Sequence, residues 1–134
     1  MKKFFLALMI NFLIFNISFA ETFVLYCIDN KTFGLDGRDQ YTKIRNYKPL
    51  KFNMKVDLNN KTIVGEELGM KEGLVKCKHW KEVNKWDPIL ECMSVTYYIA
   101  LNLETYKYTR SRGFGYAFGR KDGLGMGFGE CEKF

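Results

Sequence analysis

Few of the residues that catalysis requires occur in this chain of 134 residues. It has a single histidine, His79, in a lysine-rich segment spanning residues 76–81, a setting more typical of a surface strand than of a general base. The G-x-S-x-G, H-E-x-x-H and P-loop motifs are absent from the sequence. The sequence therefore predicts no enzyme, no catalytic residue and no cofactor.

Proline and long apolar runs are also scarce. Only Pro49 and Pro88 occur, and no proline-rich or low-complexity linker divides the chain, which favours a single domain. The apolar run from Phe4 to Ile17 is short for a membrane span, which needs about 20 apolar residues, and no second run follows it. These features predict that the mature protein has no membrane span.

The N-terminal residues instead predict a cleavable signal helix. Lys2 and Lys3 precede the apolar run, and Ser18 and Ala20 place small residues before a cleavage site at Glu21. The predicted division is a signal peptide at 1–20 and one mature domain at 21–134, periplasmic or secreted. The formal net charge of +6 includes the two leader lysines, and the remaining surplus is too modest to indicate a nucleic-acid partner.

Four cysteines survive the predicted cleavage, and an even number in an exported domain indicates two disulfides with three possible pairings. Cys77 and Cys92 are symmetric about a predicted turn at residues 84–88, so they would face each other across a hairpin. Cys27 lies in the first predicted strand and Cys131 in the last, which predicts the pairs Cys27–Cys131 and Cys77–Cys92. A metal site on Cys77, His79 and Cys92 is the alternative, but one histidine and no C-x-x-C pair favour no metal.

Strand patterns dominate the mature chain. Residues 51–58 alternate apolar and polar side chains, residues 93–101 repeat that pattern, and residues 23–28 form a continuous apolar run typical of a strand covered on both faces. We predict an all-β fold, a small antiparallel meander that closes into a barrel or sandwich of about six to eight strands.

The C-terminal segment alternates Gly with apolar residues from Gly123 to Gly129. A hairpin with residues 113–119 across a turn at 120–123 would put the aromatic side chains on one face and Gly and Ala on the other. Cys131, however, has the parity of the glycines. A bulge at Gly129 would reverse the faces and bury Leu124, Met126 and Phe128, and we predict that bulge. Without it, the same residues would form an exposed aromatic strip.

Aromatic residues make up 16% of the chain, which suggests an interaction surface. We predict an exported, non-catalytic β-domain that binds an envelope component: a small apolar ligand, a glycan or a protein. The predicted binding residues are Trp80, Trp86, Phe114, Tyr116 and Phe118. One alternative is a small periplasmic hydrolase that uses the loop carboxylates Asp29, Asp36 and Asp39. The other is a structural or oligomeric envelope protein.

Short motifs run through nearly the whole mature chain: Tyr26-Cys27, Lys48-Pro49 before Lys51-Phe52, Val56-Asp57-Leu58 with Lys61-Thr62-Ile63, Leu90 with Cys92, Leu103 with Thr105, and the ending Gly129-Glu130-Cys131-Glu132-Lys133-Phe134. In these motifs the chain resembles a group of short, uncharacterised bacterial secreted proteins. The resemblance implies export and two disulfides, and it supplies no ligand. The glycine-rich segment 113–129 departs from that group.

Residues 111–116 are similar to the S-G-x-x-Y loop of the small c-type lysozyme inhibitors of the bacterial envelope, with one extra residue between Ser and Gly. This fold-level resemblance implies an antiparallel barrel. Arg110 and Arg112 stand beside the loop, however, and they would repel cationic lysozymes. Inhibition of lysozyme is therefore not predicted.

Overall fold

Nine β-strands form one antiparallel sheet in the computed structural model of the protein. The structure describes residues 21–84, 87–117, 119 and 123–134, so the predicted signal peptide lies outside the described residues. The strands are β1 Thr22–Leu35, β2 Ile44–Tyr47, β3 Lys51–Asp57, β4 Thr62–Val64, β5 Lys76–His79, β6 Ile89–Met93, β7 Tyr97–Asn102, β8 Lys107–Arg112 and β9 Leu124–Lys133. Short helical turns occupy Gly37–Asp39, Glu66–Leu68, Trp80–Glu82 and Phe114–Ala117.

The sheet curls into a nearly closed barrel. Strands lie in the order β4-β3-β1-β9-β8-β7-β6-β5, and β2 pairs with β1 beyond the end of β3. The two edge strands approach each other where the Cys77 N–H donates to the Lys61 carbonyl over 3.1 Å. The all-β prediction is confirmed, and the closure is that of a barrel with nine strands.

Both predicted disulfides are present. Cys27 and Cys131 pair directly across β1 and β9, which joins the first and last strands, and Cys77 pairs with Cys92 across β5 and β6. No cysteine among the described residues is free. Two disulfides are typical of an oxidising, extracytoplasmic compartment.

The apolar core follows the predicted alternation in β3, where Phe52, Met54 and Val56 are buried. Two other strand predictions are wrong. Residues 23–28 are covered on one face only, since Leu25 is buried whereas Val24 is 41% exposed. Residues 93–101 are not one strand, because residues 94–96 form a turn in which the Ser94 N–H donates to the Tyr97 carbonyl.

The predicted C-terminal hairpin is also wrong. β9 pairs with β8, with Arg112 opposite Gly125 and Thr109 opposite Phe128. The expected partner segment instead contains the helical turn Phe114–Ala117. Residues 120–122 of the expected turn at 120–123 lie outside the described residues.

The predicted bulge at Gly129 is wrong as well. The irregularity lies on the neighbouring strand, between Asp29 and Lys31 of β1, and β9 alternates regularly along its length. Gly127 and Gly129 therefore face inward with Cys131, while Met126 and Phe128 face outward and are 54% and 44% exposed. The physical reason lies in the neighbouring strands: large polar side chains of β1 and β8 already fill the interior at the level of the glycines.

Candidate functional site

The glycines of β9 face a buried polar cluster. A Cβ at Gly129 would lie 2.0 Å from a backbone carbonyl oxygen of β1 and 2.8 Å from the hydroxyl oxygen of Tyr108. At Gly127 it would lie 3.1 Å from Nε of Arg110 and 3.2 Å from Oγ1 of Thr32. A close approach of two strands thus requires glycine at 129, and the side chains of the cluster favour it at 127.

Asp29 is the centre of the cluster, and its side chain is fully buried. Its Oδ1 accepts hydrogen bonds from the Tyr108 hydroxyl (2.8 Å) and from Nε of Arg110 (2.9 Å). Its Oδ2 accepts from Nη2 of Arg110 (2.5 Å), the Thr32 hydroxyl (2.9 Å) and the Leu50 N–H (2.8 Å). This bidentate ion pair joins β1 to β8 inside the barrel.

The backbone explains why an aspartate can occupy this position. On one side of β1, strand pairing is interrupted between the segment that pairs with β2 and the segment that pairs with β3. Two hydrogen bonds with Leu50 fill this gap: the Asp29 N–H donates to the Leu50 carbonyl, and the Leu50 N–H donates to the Asp29 carboxylate. On the other side, the bulge places Asn30 as an extra residue opposite β9. Asp29 therefore satisfies backbone groups that a regular sheet would pair by itself.

The hydrogen bonds decide the charge of the cluster. Burial by itself raises the pKa of Asp29, but the donors from Arg110, Leu50, Tyr108 and Thr32 together outweigh it, so this pKa lies below its usual value. Burial, with Asp29 as a hydrogen-bonded neighbour, raises the pKa of Tyr108. At neutral pH the cluster contains a carboxylate, a guanidinium and a neutral phenol.

A cavity of about 390 Å³ adjoins this cluster at the end of the barrel where β9 begins. This volume lies in the range of about 300–1,000 Å³ typical of small-molecule sites. The lining residues are Thr32, Asp36, Arg38, Tyr47, Tyr97, Arg110, Arg112, Gly123, Leu124 and Gly125. The glycines leave one wall of the cavity without side chains, and the rest of the lining combines charged residues with Thr32 and two tyrosines.

The rim of the cavity contains a second ion pair. Arg38 contacts the buried carboxylate of Asp36 through its N–H (2.9 Å), Nε (3.0 Å) and Nη2 (2.7 Å), and its own side chain is 81% exposed. These hydrogen bonds lower the pKa of Asp36 to about 2. Arg112 lies over Tyr97, with Cζ 5.6 Å from the centre of the ring. The cavity thus has three arginines and one carboxylate in its lining.

Of the five predicted aromatic binding residues, the two whose side chains the structure describes, Trp80 and Tyr116, do not line this cavity. Trp86 and Phe118, and the side chain of Phe114, lie outside the described residues. Trp80 is half-buried elsewhere; its Nε1–H donates to Glu91 over 2.7 Å. Tyr116 is 61% exposed and packs edge-on against Tyr41. The structure therefore does not bring the described members of this set together.

The three candidate catalytic carboxylates are all paired with arginines. Asp29 pairs with Arg110, Asp36 pairs with Arg38, and Arg45 contacts both Asp36 and Asp39. In the described part of the chain, no group of three or more His, Cys, Asp and Glu side chains is arranged to hold a metal ion. Cys77 and Cys92, the thiols of the alternative metal site, are joined in a disulfide.

The outer face of β1 and β9 carries an apolar strip. Phe33 lies opposite Met126 and Leu35 opposite Leu124, and the exposed Phe128 continues this strip. A groove of about 490 Å³ runs beside Phe128 over the outer face of β7 and β8. The exposed strip is the arrangement expected in the absence of a bulge at Gly129.

The sequence contained one unused signal for the cavity. Tyr108, Arg110 and Arg112 alternate with polar residues along β8, and their parity matches that of the inward-facing glycines of β9. Arginines on the inner face of a strand need buried partners, and Asp29 and Thr32 are the polar residues that β1 supplies. That pairing depends on the position of the bulge, which local patterns do not fix.

Comparisons with family models, with curated proteins and with solved structures found no match to this chain. The resemblance to secreted bacterial proteins therefore stays a prediction, and the site is interpreted from its own chemistry. Across the described residues, no helix has the length and apolar character needed to cross a membrane.

Proposed function

We propose that this protein is an exported, non-catalytic β-domain that binds a small envelope component in the cavity at the end of the barrel. The cavity itself carries the proposal, because it combines a volume of about 390 Å³ with convergent polar side chains and a wall of glycines. The sequence predicted an envelope component that is a small apolar ligand, a glycan or a protein, and the cavity favours a small molecule.

Export to the periplasm or the exterior is part of this proposal. The signal-like segment at 1–20 and the two disulfides support it. Catalysis is not proposed: Asp29 and Asp36 have lowered pKa values, and a general acid working near neutral pH needs a raised one.

The rigidity of the cavity floor also supports a binding role. Every polar contact of Asp29 comes from a group inside the barrel, and no fully buried side-chain nitrogen or oxygen among the described residues lacks a partner. A polar network whose fully buried atoms all have partners holds its side chains in one arrangement, so a ligand would meet a preformed site.

Titration with N-phenyl-1-naphthylamine, a neutral fluorescent aromatic, tests whether the cavity accepts a ligand. We expect saturable, single-site binding that Gly125→Phe abolishes, because the ring enters the cavity from its bare wall, where a Cβ has room. The matched control is Met126→Phe, which adds a ring to the adjacent, outward-facing residue.

If Gly125→Phe and Met126→Phe both bind the dye as the unmodified protein does, the dye occupies another surface and the proposal is wrong. Native mass spectrometry of protein purified from the bacterial envelope gives a second readout. A retained small molecule that is lost in Gly125→Phe would support the proposal.

A structural or oligomeric role is the second candidate, favoured by the exposed Met126 and Phe128 beside the half-buried Phe33. Sedimentation equilibrium tests it: a self-associating protein that becomes monomeric on Met126→Gln would support this role. A monomer at all concentrations would contradict it.

A further inference from the structure

We propose that the ligand of this cavity is a small organic anion: a carboxylate or phosphate group held by arginines, attached to an apolar or aromatic body. This inference rests on the proposed function and names the substrate class of the same site. Three arginines support it: Arg110 on the floor of the cavity, Arg112 on the wall and Arg38 at the rim.

Arg110 offers two donors to the cavity. A guanidinium has five N–H groups, and the contacts to Asp29 and Thr32 use Nε and Nη2 only. No acceptor among the described residues receives the two N–H groups of Nη1. Because no fully buried nitrogen in this part of the chain lacks a partner, Nη1 must be accessible, and the cavity is the space that Arg110 lines. Asp29 therefore fixes the guanidinium with one edge presented to a ligand.

Among the described residues at the cavity, arginines outnumber carboxylates by one. Arg38, Arg110 and Arg112 line it together with one carboxylate, Asp36, and the carboxylate of Asp29 lies directly behind Arg110. Both carboxylates are ionised at neutral pH because their pKa values are lowered. An anionic group is the complement of this arrangement.

Part of the cavity wall suits an apolar body. Gly123 and Gly125 expose backbone only, and Tyr97 contributes an aromatic ring beside them, next to Arg112. A simple inorganic anion would leave this wall uncovered. An organic anion contacts both the arginines and the apolar surface.

Two dyes with the same skeleton test the inference: 8-anilinonaphthalene-1-sulfonate, which is anionic, and neutral N-phenyl-1-naphthylamine. At pH 7 we expect the sulfonate to bind at least about tenfold more tightly, as one strong charge-assisted contact predicts. Arg112→Gln, and Arg110→Lys, which keeps the charge but lacks the second guanidinium edge, should each lower affinity for the sulfonate several-fold and lower it more than affinity for the neutral dye, so that the ratio of the two affinities falls.

Lys31→Gln is the matched control, because it removes one positive charge from the outer face of β1 and should change neither affinity. Equal binding of the two dyes, or an unchanged ratio in both arginine variants, would overturn the inference while leaving a neutral ligand site intact. Loss of cavity-dependent binding for both dyes would instead overturn the proposed function.

Competition against the bound sulfonate distinguishes the two head groups. Displacement by benzoate and not by phenyl phosphate assigns a carboxylate, and the reverse assigns a phosphate. Equal displacement by neutral benzyl alcohol would contradict anion recognition.

Discussion

The two halves of the barrel interior are lined by different kinds of residue, apolar in one half and polar in the other, although β1 and β9 run through both. Where β1 starts and β9 ends, Leu25, Cys27 and Cys131 face inward and join the apolar core. Past the bulge, the same two strands present Thr32 from β1 and glycine from β9, and the arginines of β8 fill the interior.

The difference shows that burial is achieved in two ways. The apolar half is stabilised by surface removed from water, which tolerates small shifts of geometry. The polar half depends on each hydrogen bond of the Asp29–Arg110 pair, and a buried pair adds little stability over apolar residues of the same volume. Stability alone therefore does not account for the polar half, whereas the proposed anion site gives it a role.

Arg110→Met should lower the free energy of unfolding more than the other variants. The size of this loss should depend on pH, unlike that of a substitution in the apolar half. Arg110→Met leaves the Asp29 carboxylate buried without its cation, which costs about 3–5 kcal/mol of unfolding free energy at pH 7. The loss should shrink as pH falls towards 3, because Asp29 in the variant takes up a proton and the unmodified protein loses its ion pair. Urea unfolding at a series of pH values measures both quantities.

Leu25→Ala is the comparison from the apolar half. It should cost about 2–5 kcal/mol through a cavity, and this loss should not depend on pH because no charge is involved. If Arg110→Met and Leu25→Ala follow the same pH dependence, the two halves do not differ in the way described.

Gly129→Ala should have a smaller effect than Arg110→Met or Leu25→Ala. The added Cβ would overlap a backbone oxygen at 2.0 Å, so the strands must move apart, with a cost of about 1–3 kcal/mol. The control is Gly125→Ala, whose Cβ has its nearest neighbour at 3.8 Å. That change should be neutral or stabilise by about 0.4–1 kcal/mol through the unfolded chain. Equal losses, measured by thermal unfolding, would contradict a special role of residue 129.

The sequence predicted those features that depend on local residue patterns or on the positions of the cysteines. Strand alternation at 51–58 predicted the buried face of β3, and the positions of the cysteines predicted both disulfides. The apolar half of the barrel could therefore largely be predicted from the sequence.

The polar half could not be predicted, because the residues that pair with each other in it are distant in sequence. Arg110 and Asp29 are 81 residues apart, and Asp29 resembles a loop residue when only its neighbours are considered. The alternation of Gly with large residues continues from 113 to 129, so it gave β9 an adjacent hairpin partner when its true partner is β8. Which strand pairs with β9 is decided by tertiary packing, and the position of the bulge follows from that choice.

Asp36→Asn should have the smallest effect and tests the charge at the cavity rim. The pKa of Asp36 is about 2 in the folded protein against an ordinary value of 3.8, so its stabilising contribution is complete above pH 3.8 and is lost as pH falls towards 2. Unfolding free energy measured from pH 5 to pH 2 should therefore fall less steeply in Asp36→Asn. Arg38→Gln should flatten the slope in the same way, because the hydrogen bonds of Arg38 are the largest cause of the lowered pKa. Arg112→Gln should keep the original slope, and an unchanged slope in Asp36→Asn would show that the rim pair does not contribute.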